Sequence, residues 1–133
     1  GAIHRIFPLD ATQDIVFTMQ DLAALPDTHL AGIVRDAVRF YVGFHQKADG
    51  IDGAYLHDPV ALIGSLLRPD LVTETVTETL ACDTSSDAYL AGSLYRSESD
   101  DRPPVWLATA IDAEGMKAEL ITRLARAVSA PYS

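Results

Sequence analysis

A histidine and an aspartate stand side by side in the stretch Gly53-Ala54-Tyr55-Leu56-His57-Asp58-Pro59. Histidine exchanges protons near neutral pH, so this neighbourhood has the residue types for acid–base work. The pair follows residues 48–56, which carry two glycines and two aspartates and read as a loop. It precedes a nearly continuous apolar run that reads as a short buried helix. A plainer account fits the same residues. Asp58 is a good N-cap, Pro59 suits the first helical position, and His57 merely precedes them. On pattern alone both accounts stand.

Other chemistry-bearing patterns are missing or weak. The sequence has no GxGxxG, P-loop, GxSxG, HExxH or CxxC motif. Cys82 follows a strand pattern and has acids on both sides in sequence, which disfavours its thiolate, so it is not expected to act as a nucleophile. Tyr41 and His45 lie four apart and share one helix face. Tyr41 also fits the apolar stripe of that helix, which would make it a core residue and leave His45 exposed. Asp10 reads as structural, bonding backbone groups in a bend. His4 and His29 read as surface residues.

At 133 residues the chain is one domain at most. Hydrophobic residues make up 48% and charged residues 22%, a globular balance that excludes general disorder. Ten Lys and Arg against 19 Asp and Glu leave a net charge of −9. Such a chain lacks the basic footprint of a nucleic-acid binder and is repelled by anionic lipid. The longest uncharged apolar stretch, residues 60–67, is far short of the roughly 20 residues needed to span a membrane. No basic-then-apolar leader opens the sequence, and a lone cysteine implies no oxidising compartment, so a cytoplasmic location is expected. The sequence contains no asparagine.

The elements that must position these side chains follow from periodicity. Residues 3–17 read as extended, interrupted at Pro8, with a polar link at 10–14. Thr18 and Asp21 form a variant capping box opening a short helix through Leu25, which Pro26 ends. Asp27 or Thr28 caps a longer helix that fades by about Lys47, with Leu30, Ile33, Val34, Ala37, Val38, Tyr41 and Phe44 as its apolar stripe. The helix after Asp58 is apolar nearly all round, hence buried, and stops at Arg68-Pro69. Alternating threonines make 71–80 a strand whose Glu74 and Glu78 face is partly wet. Residues 88–95 form a second strand with Gly92 weakening its middle or marking a bulge, and 105–111 a third, after a polar connection at 97–104. Asp112 caps a final helix with Met116, Leu120, Leu124 and Val128 as its buried face. No internal repeat, low-complexity tract or domain boundary is visible.

The run His57-Asp58-Pro59-Val60-Ala61, followed by Leu66-Leu67-Arg68-Pro69-Asp70-Leu71, resembles the C-terminal signature of the inosine–uridine-preferring nucleoside hydrolases. Upstream, Pro8-Leu9-Asp10-Ala11-Thr12-Gln13 is similar to that family's Leu-Asp-Val-Thr segment, with Ala11 in place of the valine. Downstream, the strand at 72–78, Gly92 and the strand–Asp–helix of 106–124 follow the same order. The resemblance covers about residues 6–128. It implies an α/β fold, a single domain around a mostly parallel, mixed sheet flanked by helices.

The resemblance also implies a calcium-dependent hydrolysis of ribonucleosides to base and ribose. By it, Asp58 matches a Ca²⁺ ligand, and Ca²⁺ favours carboxylate and carbonyl oxygens and also holds ribose hydroxyls and a water. His57 matches the residue that protonates the departing base. Tyr41 and His45 match a helix end that, with the following loop, covers the nucleobase, and Tyr55 is a further candidate.

Members of the family are more than twice this long. They open with an aspartate cluster of the DxDxxxDD kind, and a middle segment supplies asparagines and a glutamate for the ribose. None of these is present, and Asp58 alone is one carboxylate where Ca²⁺ takes six to eight oxygens. Three readings follow: residues 1–133 are the C-terminal segment of one such domain; a free-standing binding or assembly module; or an unrelated small α/β domain. The first is preferred. It predicts that the isolated chain is inactive and that it either pairs with the remaining N-terminal part or self-associates, since half a domain leaves an open sheet edge and uncovered apolar faces. The family's habit makes a homo-oligomer the expectation for the complete enzyme. Which nucleoside is preferred is not encoded in this portion.

Overall fold

The computed structural model describes residues 4–98 and 101–130. Its α/β architecture carries a three-stranded mixed sheet in the order β1-β7-β4. β1 (Arg5–Ile6) runs parallel to β7 (Val105–Ile111), and β4 (Val72–Glu78) pairs antiparallel to β7. Two small antiparallel pairs stand apart: β2 (Val16–Phe17) with β3 (Ala54–Tyr55), and β5 (Leu80–Cys82) with β6 (Leu94–Arg96). The expectation for Ile3 and for residues 99–100 lies outside the described residues.

The first stretch is two short strands, as Pro8 requires, but the link between them is not irregular. Leu9–Thr12 form one helical turn, α1. The following Asp21–Ala24 is a short 3₁₀ turn. Here Asp21 works backwards as the cap: its Oδ2 accepts from the Thr18 backbone N–H at 2.7 Å and from the Thr18 hydroxyl at 2.9 Å. Lys117 reaches the same carboxylate at 2.9 Å. Burial opposes the charge on Asp21, but the Thr18 N–H, Lys117 and the Thr18 hydroxyl outweigh it and hold the carboxyl below its ordinary 3.8. A depressed carboxylate contributes stability that is present above the unfolded value and lost as pH falls through the folded one. Asp21→Asn should therefore cost about 1.5–3 kcal/mol at pH 7. In urea unfolding at pH 7 and at pH 3 the two proteins should converge at the lower pH, whereas an equal gap at both would exclude this linkage.

The long helix α2 spans His29–Ala48, capped by the Thr28 hydroxyl, which accepts from the Ala31 N–H at 3.2 Å and donates to the Val128 carbonyl at 2.9 Å. Its buried face differs from the expected stripe. Ala31, Val42 and His45 are buried and Leu30, Val34 and Val38 pack on the core, while Ile33, Tyr41 and Phe44 are exposed together with Phe40. The helix is apolar over more than one face, so its own periodicity does not choose the face. The choice is made by α4 (Ala113–Ser129), whose Met116 and Val128 are buried and whose Leu120 and Leu124 pack beside them, as expected. Asp112 caps α4 as predicted, accepting from the Gly115 N–H at 3.0 Å.

α3 covers His57–Leu62 and continues as a wider π-type turn, Ile63–Leu67. It begins two residues earlier than expected: Leu56 occupies the N-cap position, and Asp58 lies inside the first turn with no capping bond. The run is also not buried all round. Val60 and Ile63 are buried against Ile15, Leu71 and Met116, each such side chain worth about 1.5–3 kcal/mol, whereas Leu62, Leu66 and Leu67 face solvent. Gly64 permits the close approach, since a Cβ there would meet the Phe7 ring at 2.6 Å.

The expected strand at 88–95 forms only as Leu94–Arg96. Asp87 diverts the preceding residues into a turn: its side chain accepts from the Tyr89 N–H at 2.8 Å and its carbonyl from the Ala91 N–H at 2.8 Å. Gly92 sits in this turn at φ 88°, a left-handed conformation suited to glycine, rather than in a bulge. β4 is exposed on both faces over Thr73–Thr77, wetter than expected, and lies at the edge of the sheet.

Candidate functional site

Four elements converge on one cleft. The β2–β3 pair sets the register Val16↔Tyr55 and Phe17↔Ala54, which fixes the chain just before His57. Gly53 allows this pairing, because a Cβ there would lie 2.9 Å from the Phe17 carbonyl oxygen. α3 then starts at His57, α1 ends at Thr12, and the C-terminal half of α2 presents Tyr41. The cleft, about 350 Å³, is lined by Tyr41, Tyr55, Leu56, His57, Asp58 and Pro59.

His57 is half-buried, and its Nδ1 lies 2.7 Å from the hydroxyl of Thr12. Thr12 itself is fully buried. Its hydroxyl is also 3.2 Å from the Pro8 carbonyl and 3.4 Å from that of Leu9. Asp58 is exposed, and no hydrogen bond or ion pair engages its carboxylate among the described residues. The capping account of Asp58 is therefore overturned, and its carboxylate is left free at the cleft.

The aromatic side of the cleft is layered. Tyr55 lies against His57 with ring centroids 5.5 Å apart and 30° between planes. Behind it, His45 meets Tyr55 edge-on at 5.5 Å and Tyr41 edge-on at 4.5 Å. His45 is 8% exposed, not a surface residue, and Tyr41 is 44% exposed, not core. The His45 Nδ1 meets the Asp49 carboxylate at 2.6 Å, while its Nε2 is buried without a hydrogen-bond partner. Tyr41, His57 and Asp58 thus share the cleft, and His45 supports it from beneath.

Asp10 is exposed in the first turn of α1, and no bond from its carboxylate to the backbone of the bend is formed. His4 and His29 are exposed, as expected. Cys82 is exposed in β5. Thr12 was visible in the sequence only as part of the Leu-Asp-Ala-Thr segment. Nothing in its local pattern announces a partner 45 residues away. A larger hollow, about 660 Å³, lies beside Arg5, Phe7, Ala61, Leu62, Ser65 and Leu66. It contains no acid–base pair, and Arg5 is spent on the Ser65 carbonyl and the Trp106 ring.

Among the described residues no group of three or more His, Cys, Asp or Glu side chains is placed to hold a metal ion. The chain by itself therefore does not fit Ca²⁺, which needs six to eight oxygens. Among the described residues no helix is long and apolar enough to cross a membrane. The arrangement can do two things chemically. It can pass a proton from a braced imidazole to a group in the cleft, and it can hold a planar, weakly polar ring against Tyr41 and Tyr55.

Several known proteins are similar to this chain in sequence or fold. Uridine nucleosidase 1 of Arabidopsis thaliana is 46% identical over 75 residues, covering 55% of this chain and 22% of that protein. The probable uridine nucleosidase 1 of Oryza sativa subsp. japonica is 32% identical over 75 residues, covering 55% and 23%. A solved plant nucleoside hydrolase, the PpNRh1 enzyme, matches with a TM-score of 0.79 and 25% identity, over 94% of this chain and 42% of that one. The purine-preferring ribonucleoside hydrolase from Gardnerella vaginalis shares the fold, with a TM-score of 0.79 at 22% identity over 94% and 40%. The chain thus spans less than half the length of the proteins it matches. The family model for inosine-uridine preferring nucleoside hydrolases matches residues 1–118, and the chain belongs to that family.

Proposed function

We propose that this chain carries the leaving-group side of a ribonucleoside hydrolase site and forms the C-terminal segment of that enzyme's domain. The reaction adds water across the N-glycosidic bond: the C1′–N bond breaks, ribose takes the hydroxyl, and the base leaves with a proton. In this reading His57 supplies that proton, Tyr41 and Tyr55 hold the base, and His45 sets their rings from beneath. The observation that carries the reading is the convergence of Tyr41, Tyr55, His57 and a free Asp58 carboxylate on one cleft.

Asp58 is proposed as one ligand of a calcium ion whose other ligands come from outside these residues. Calcium would supply a bound water and a hold on the ribose hydroxyls. The isolated chain should show no saturable Ca²⁺ binding below about 1 mM in titration calorimetry. Saturation at micromolar Ca²⁺ would mean that the ligands are all within the chain. In the complete enzyme Asp58→Ala should weaken calcium binding, and an unaltered affinity would remove the assignment.

The partner of the chain is, in this reading, the Asp-rich N-terminal part of the same enzyme. Its support is the uncovered side of the fold: among the described residues β1 pairs only with β7, and Leu62 and Leu66, the latter 71% exposed, flank the hollow beside it. The test is release of free base from inosine and uridine by this chain joined to that part. No release by the joined protein would overturn the reading.

A further inference from the structure

We propose that Thr12 is a positioning residue that fixes the tautomer of His57, holding the proton of the neutral ring on Nδ1 and turning Nε2 toward the cleft. The proposal rests on the reading of His57 as the group that protonates the departing base, and deepens it.

The argument is a count of protons and lone pairs. Thr12 ends the single turn of α1, and its side chain is fully buried. A helical threonine hydroxyl donates backwards to the carbonyl four residues earlier. Here that carbonyl is Pro8, at 3.2 Å. A hydroxyl has one proton and two lone pairs. With the proton committed to Pro8, what Oγ1 offers the imidazole at 2.7 Å is a lone pair. Nδ1 must then be the donor. Which nitrogen of a histidine carries the proton is set by the bond the other one makes. The ring is also confined sideways by Tyr55, whose plane lies only 30° from its own.

The consequence is directional. Nδ1 is occupied inward, so the nitrogen left for the cleft is Nε2. The acid is the ring carrying both protons: the proton given to the base leaves from Nε2, its electron pair staying on the ring, and what remains is the neutral Nδ1–H form that Thr12 holds. No ring flip is needed between turnovers. A buried, backbone-anchored hydroxyl also loses no side-chain freedom when it holds the ring, which an exposed partner would.

The test is long-range ¹H–¹⁵N correlation of the histidine rings in the 133-residue chain, about two pH units above the ordinary histidine value. The expected spectrum gives His57 a pyrrole-type Nδ1 and a pyridine-type Nε2. Thr12→Val keeps the shape and removes the hydroxyl, and should return the ring to the Nε2–H form favoured in water. Thr12→Ser should restore the Nδ1–H form. A wild-type ring protonated on Nε2, or an unchanged tautomer in Thr12→Val, overturns the proposal. If Thr12→Val fails to fold, the wild-type and Thr12→Ser spectra decide alone.

In the hydrolysing enzyme, Thr12→Val should lower kcat for inosine by about 10- to 100-fold with KM little changed, and Thr12→Ser should recover most of it. An equal loss in both variants overturns the proposal. Nδ1–H spectra in a protein that hydrolyses no nucleoside would instead overturn the functional reading and leave the tautomer assignment standing.

Discussion

In the complete enzyme, His57→Ala is expected to slow release of purine bases by about 10²- to 10⁴-fold, the range a positioned general acid supplies. The loss should fall on kcat, with KM for the nucleoside nearly constant. The reason is where the imidazole acts. In the proposed reading, contact with the base in the ground state comes from the tyrosine rings, whereas the proton is needed only as the C1′–N bond breaks. Purine nucleosides should suffer more than uridine, because a departing purine needs a proton on a ring nitrogen and uracil can spread negative charge over two carbonyls. Steady-state assays with inosine and uridine separate these outcomes. Equal, unchanged rates across several nucleosides would remove His57 as the acid. A parallel rise in KM alone would make it a binding residue.

The second large effect concerns the chain as a whole. The isolated 133 residues should release no base above background, and joining them to the Asp-rich N-terminal part should bring turnover that a chelator abolishes. The gap between these states is the enzyme's whole acceleration, of order 10⁶-fold or more. Two features of the fold motivate it. Asp58 belongs to no group of three or more possible metal ligands among the described residues. Leu62 and Leu66 are exposed in the hollow beside Arg5 of the edge strand β1, the kind of apolar surface that favours association. Sedimentation of the isolated chain should accordingly show self-association. Turnover by the pure 133-residue chain would refute the prediction, and a well-behaved monomer would favour a free-standing binding module.

Much of the fold was legible because local rules acted where nothing competed with them. Thr28 and Asp112 cap their helices as their types dictate, and the buried face of α4 is a clean 3.6-residue repeat. β7 reads as a strand because apolar and β-branched residues run uninterrupted. Misreadings arose where two local rules disagreed. Asp58-Pro59 is a good helix start, yet the helix begins at His57, because the β2–β3 pair delivers the chain in a direction that makes His57 helical. Residues 88–93 have a strand-like composition, but Asp87 and Gly92 close a turn instead.

The site divides the same way. The neighbourhood of His57 and Asp58 is a property of the sequence, since adjacent residues stay adjacent in any fold, and so is the shared helix face of Tyr41 and His45. The acidic composition, the short apolar runs and the family resemblance are likewise properties of the chain alone. Packing decided which of these side chains faces the cleft. It sank His45 beneath Tyr41 and Tyr55, exposed Tyr41, freed Asp58 from capping, and brought Thr12 against His57 across 45 residues. Periodicity reports that a helix has an apolar face, but a helix with two such faces is oriented only by what lies next to it. A hydrogen bond between distant residues has no sequence period at all. It exists because the strands before and after it close on one another.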